Sequence, residues 1–95
     1  MYIVYVLYSE IYDKTYTGMS SNMEERFKSH NELGKKGWTI KYRPWIIFYQ
    51  EEYLEKRTAL KREKYLKSGW GFRTIKKMLK NYFDGKKGTL YERDL

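Results

Sequence analysis

The sequence predicts an α+β domain: a small, three-stranded, mostly antiparallel sheet flanked by helices, in the order β-β-α-β-α-α. Three observations predict it. Two β-branched and aromatic runs lie close together at the start of the chain, a third follows at 45–53, and helical periodicity dominates after residue 57.

The first run, residues 2–8 (YIVYVLY), has no polar break and reads as a strand covered on both faces. The polar stretch Glu10 to Lys14 contains Asp13-Lys14, a hairpin connection, and residues 15–17 form a short second strand stopped by Gly18. Strands this close in sequence pair antiparallel. Asn22 is the cap of the first helix, and Glu25, three residues on, reaches back to the cap's N–H. That helix runs to about Leu33 and stops at Gly34, where a basic loop, Gly34-Lys35-Lys36-Gly37, begins. Pro44 precedes the third strand, where a missing N–H does little harm. A densely charged helix covers 57–67, Ser68-Gly69 ends it, and Gly71 marks a further break. Phe72, Ile75, Leu79 and Tyr82 then recur at helical steps and define an amphipathic helix. The domain is expected over 1–83, with 84–95 as a basic C-terminal tail.

Composition narrows the function classes. The 95 residues hold 20 Lys+Arg against 12 Asp+Glu, a net charge of +8. That balance favours a polyanionic partner, nucleic acid first. The absence of cysteine excludes disulfides, zinc–thiolate sites and cysteine nucleophiles, and a single His excludes a multi-histidine metal cage. No apolar run is long enough to span a membrane, and no basic leader precedes the first apolar stretch, so no membrane association is expected and the expected compartment is the cytoplasm. No Ser-His-Asp set can be assembled, and the Gly34–Gly37 spacing does not fit a P-loop.

Several residues are chemically out of place. On the first helix, with Met23 at zero, Phe27 lies at roughly +40°, His30 at about −20° and Arg26 at about −60°. Met23 and Phe27 thus define a buried stripe that includes His30 and is bordered by Arg26. The pair is either a solvated Arg beside a hydrogen-bonded core His, or two groups aimed into a groove. On the second helix, with Ala59 at zero, Glu63 lies at roughly +40° and Leu66 at about −20°. A carboxylate in that apolar sector needs a partner: an Arg such as Arg26, or a metal ion. Tyr5 and Tyr16, on the two paired strands, are core residues or the walls of a polar pocket.

Val4-Tyr5-Val6-Leu7, Thr15-Tyr16-Thr17-Gly18, Glu25-Arg26-Phe27-Lys28-Ser29-His30-Asn31 and Ala59-Leu60-Lys61-Arg62-Glu63, in that order, resemble the GIY-YIG nuclease superfamily, over roughly residues 2–80. The small stand-alone bacterial branch is the most similar. Ile3 stands where the first motif has glycine, and Thr17 where the second has isoleucine. The resemblance implies a metal-dependent endonuclease hydrolysing DNA phosphodiester bonds, branched or flapped structures included, in DNA repair or processing. It implies that Tyr5 helps deprotonate the attacking water, that Arg26, Tyr16 and His30 contact the scissile phosphate, and that Glu63 holds Mg²⁺ or Mn²⁺. A tyrosine, with a usual pKa of about 10, is a weak base at neutral pH, so a cation and Arg26 would have to lower it. The alternative is a non-catalytic basic module that binds nucleic acid through Lys35, Lys36, Lys41, Arg43, Lys76, Lys77 and Lys80. A third reading is a protein-interaction domain using Trp38, Trp45 and Trp70.

Overall fold

The computed structural model describes residues 1–33 and 37–94, with side chains over 1–31 and 37–83. Strands β1 (Tyr2–Ser9), β2 (Lys14–Ser20) and β3 (Ile46–Tyr53) form one antiparallel sheet in the order β2-β1-β3. Helices α1 (Met23–Lys28), α2 (Lys56–Lys67) and α3 (Gly69–Asp94) complete the predicted order. No helix is long and apolar enough to cross a membrane among the described residues.

Central β1 has both edges hydrogen-bonded and both faces covered, so its unbroken apolar run leaves Val4 to Tyr8 buried. Asp13 closes the hairpin with a positive φ of 51°, a conformation Asp tolerates, and its carboxylate accepts from the Tyr8 hydroxyl at 2.8 Å. Gly18 does not stop β2, which continues to Ser20; the glycine serves the packing of Tyr5 instead. On one face Tyr5, Leu7 and Trp45 form a cluster joined by Ile3, Tyr16, Met23, Phe27 and Tyr42. Glu51 lies opposite Val4 and shares its face, where Arg62 of α2 grips the carboxylate with two bonds, of 2.9 and 3.0 Å.

The first helix is shorter than its periodicity suggests. Asn22 caps it, accepting from the Glu25 N–H at 3.2 Å. Glu25 reaches back to the Asn22 side-chain amide, while the Asn22 N–H goes to Ser20 Oγ. After Lys28 the chain widens into a π-helical turn, Ser29–Leu33, whose loosened carbonyls take a partner from far along the chain. Arg43 donates to the His30 carbonyl at 2.5 Å and to the Ser29 carbonyl at 3.0 Å. A short 3-10 turn, Trp38–Tyr42, was not signalled by the sequence pattern.

The chain forms two compact units, Met1–Lys64 and the residues from Tyr65 onward. In the second, Gly71 is no break: it sits in the first turn of α3. A Cβ there would lie 2.0 Å from the Tyr65 carbonyl oxygen, so only glycine lets the two helices meet this closely. Ser68 Oγ accepts from the Gly71 N–H and caps α3. The buried stripe of α3 is Gly71 and Ile75, with Met78, Leu79 and Tyr82 partly covered; Phe72 is exposed beneath Lys76. The helix runs to Asp94, so the segment expected as a tail is helical.

Candidate active site

Antiparallel pairing places Tyr5 opposite Gly18, and the missing side chain leaves room for the phenol. A Cβ on Gly18 would lie 2.5 Å from Tyr5 Oη and 3.0 Å from Tyr16 Cε1. The Tyr5 ring therefore lies across β2 towards α1. There its hydroxyl meets His30 Nε2 at 2.8 Å and accepts from Arg26 Nε at 3.4 Å. Tyr16 packs on the same imidazole, with ring centroids 4.7 Å apart.

The hydrogen-bond inventory limits where the protons lie. Arg26 Nε is an obligate donor and fills one lone pair of the Tyr5 oxygen. With the phenol's hydrogen on His30 Nε2, Nδ1–H donates to Thr39 Oγ1 at 3.1 Å; the other tautomer reverses both bonds. The result is one hydrogen-bonded chain that joins Arg26, Tyr5, His30 and Thr39. His30 is 6% exposed, and its pKa is lowered to about 4 by burial and by the charges of Arg26 and Arg43. With its pKa that low, the imidazole is neutral at pH 7.

Tyr5 is fully buried, and that burial pushes its phenol above the ordinary value, aided by Tyr16 and Glu63; Arg26 pulls it back only in part. The expected lowering of this pKa is not met by the protein's own groups, because desolvation outweighs the one nearby guanidinium. Glu63 lies on α2, partly buried and near enough for its charge to act on Tyr5.

A cavity of about 190 Å³ opens beside the chain, lined by Tyr16, Arg26, Ser29, His30, Gly37, Trp38 and Thr39. Arg26 is exposed, so its guanidinium is offered to whatever enters. Tyr5 reaches this space only through His30 and Arg26. Around it, Asn31 clamps the backbone of Trp45, donating to its carbonyl at 2.8 Å and accepting from its N–H at 2.6 Å. Trp45 Nε1 in turn donates to the Thr39 carbonyl, so the last member of the chain is held by the core.

The structure thus brings Tyr5, Tyr16, Arg26 and His30 together, with Glu63 in electrostatic range. The basic candidates fare differently. Lys35 and Lys36 lie outside the described residues. Lys41 is exposed on the 3-10 turn, and Lys76, Lys77 and Lys80 are exposed on α3 in the second unit. Arg43, grouped by sequence with surface cations, is half-buried and supports the turn that carries His30. Trp45 is core, whereas Trp38 and Trp70 are exposed. Sequence reasoning missed Gly18, Thr39 and Arg43 as parts of the site. The pairing of the two tyrosine strands carried a signal for Gly18 alone.

The profile of the GIY-YIG catalytic domain matches residues 1–81, which includes all of these side chains. The chain belongs to the GIY-YIG family. Over 53 residues the chain is 36% identical to a UPF0213 protein of Staphylococcus haemolyticus; the match covers 56% of this chain and 65% of that protein's length. No solved structure matches the chain significantly.

Proposed function

We propose that this GIY-YIG protein is a divalent-cation-dependent endonuclease that hydrolyses DNA phosphodiester bonds in the Tyr16–Arg26–His30 cavity. The observation that carries the reading is the chain Arg26–Tyr5–His30–Thr39, which holds a guanidinium and a neutral imidazole at the mouth of a polar cavity.

Arg26 neutralises a non-bridging oxygen of the scissile phosphate, and the Tyr16 hydroxyl donates beside it. Tyr5 positions both Arg26 and His30. The proton released by the attacking water has a route to the Tyr5 oxygen only as the phenol's own proton moves to His30 Nε2. In the resting site that transfer is uphill, since the phenol stands above its ordinary value and the imidazole at about 4.

The donor set fits a cation of one kind. No group of three or more His, Cys, Asp or Glu side chains stands together among the described residues, and both His30 nitrogens are engaged. Mg²⁺ is commonly held by one or two carboxylates together with substrate phosphates and water, so Glu63 with a bound phosphate is a suitable seat. A cation there supplies positive charge that stabilises the developing phosphate charge and the leaving oxygen.

The test is nicking of supercoiled plasmid and branched duplexes with added Mg²⁺ or Mn²⁺. Glu63→Gln and Arg26→Ala are each expected to slow cleavage by roughly 10²-fold or more. Equal cleavage by Glu63→Gln removes the assignment. One observation favours a second reading, a binding module without chemistry: the Tyr5 phenol is buried and raised rather than activated. That reading predicts salt-sensitive binding and no product with either metal.

A further inference from the structure

Three concavities of the first unit share walls. Arg26 lines both the cavity already described and a second of about 290 Å³, which Tyr2, Met19, Ser20, Ser21 and Lys56 complete. Lys56 also lines a third, open concavity of about 600 Å³ along α2, with Arg57, Leu60, Lys61 and Lys64. Arg26 and Lys56 thus stand between neighbouring concavities that run from the candidate active site to the exposed face of α2.

That face is cationic by construction. With Lys56 at zero, Leu60, Lys64, Arg57 and Lys61 fall at roughly 40°, 80°, 100° and 140°, and Glu63 borders the arc at about −20°. All five lining residues are exposed. Among the described residues none of the four cations is paired with a carboxylate, whereas Arg62, off the arc, is engaged by Glu51. Like charges three and four residues apart repel, so the helix carries a cost that an external polyanion removes. From Lys56 to Lys64 the helix rises about 12 Å, over which one B-form strand advances along its axis by three or four nucleotides.

We propose that Lys56, Arg57, Lys61 and Lys64 form a phosphate track for one nucleic-acid strand, which Lys56 passes to Arg26 and the site beside Glu63. The end point of the track rests on the nuclease reading; the track itself does not. The aliphatic stems and Leu60 form the apolar wall of the α2 concavity, and the exposed cationic heads stay in water around it.

Binding is measured by fluorescence anisotropy with a labelled 20-mer DNA, single-stranded and duplex, in EDTA so that cleavage plays no part. In the K56Q/R57Q/K61Q/K64Q variant the Kd is expected to rise at least 10-fold. The slope of log K against log salt is expected to fall by about 3, at roughly 0.7–0.9 for each phosphate no longer neutralised. Because the four positions are exposed and their mutual repulsion is relieved, circular dichroism is expected to be unchanged and the melting temperature not to fall; single K61Q and K64Q variants, each lowering the slope by nearly 1, serve if either is perturbed. An unchanged slope in the quadruple variant overturns the track. So does binding of the wild-type chain to phosphatidylglycerol vesicles with no affinity for DNA. DNA binding that needs the four residues, in a chain that cuts nothing, upholds the track and removes only the nuclease reading.

Discussion

Tyr5 and Gly18 face each other across β1 and β2, and the absence of one side chain determines where the other points. Gly18→Ala would drive a methyl group into the phenol and push it off His30 and Arg26. Displacements near 1 Å in a catalytic site cost about 10²-fold in rate. Cleavage by Gly18→Ala is therefore expected to fall by that order, with a stability loss of roughly 1–3 kcal/mol from overpacking. Plasmid nicking and a thermal melt measure the two effects, and an unaltered rate with a normal melt would contradict this account of Gly18. His30 is the residue where structural and chemical readings coincide. It is a hydrogen-bonded core histidine, and the same burial, with the charges of Arg26 and Arg43, keeps it neutral.

At the scale of elements, the attachment of α2 to β3 matters most, because α2 carries Glu63. Glu51 accepts from Arg62 twice and from the hydroxyls of Tyr49, at 2.5 Å, and Tyr53, at 2.6 Å. Burial alone would raise the Glu51 pKa; the Arg62 bonds and the two phenols outweigh it and hold the carboxylate below its usual range. Glu51→Ala leaves a partly covered guanidinium and two phenols without their acceptor. A loss of roughly 2–3 kcal/mol is expected in urea unfolding, the scale of hydrogen bonds to a charged group. Since α2 then loses its fixed place on the sheet, cleavage is expected to fall as well. A midpoint shift below about 0.5 kcal/mol would remove Glu51 from that role. The π-helical turn shows a similar dependence: Arg43, far along the chain, supplies the donors that its carbonyls need.

For the molecule as a whole, the depressed His30 pKa links stability to pH. The unfolded chain binds a proton near 6.5, while the folded chain binds it only near 4. Between those values the unfolded state holds more protons, so stability rises with pH across the window. The His30 contribution is complete above about pH 6.5 and is lost progressively as the pH falls to about 4. It amounts to roughly 3 kcal/mol, at 1.36 kcal/mol per unit. Denaturant unfolding at intervals from pH 4 to 7, compared between wild type and His30→Gln, is expected to show this slope in the wild type alone. Parallel profiles would mean that His30 does not carry it. The net charge of +8 acts at the same scale: it would make association with any polyanion sensitive to salt, without directing that partner to any one face.

The sequence by itself determined the order of the elements and the type of each, because β-branched runs and 3.6-residue periodicity are local properties. It also named Tyr5, Tyr16, Arg26 and His30, since short motifs at fixed spacing survive without coordinates. Element ends were less legible. Gly18 and Gly71 look like terminators in one dimension, yet each lies inside an element, where it makes room for a phenol or a neighbouring backbone. Only the tertiary structure decided that Arg43 faces inward, that Thr39 ends the hydrogen-bond chain, and that Tyr5 is buried with its pKa raised. Each of these depends on partners nine or more positions away and on how much water folding removes, and neither quantity is written in any local stretch of the chain.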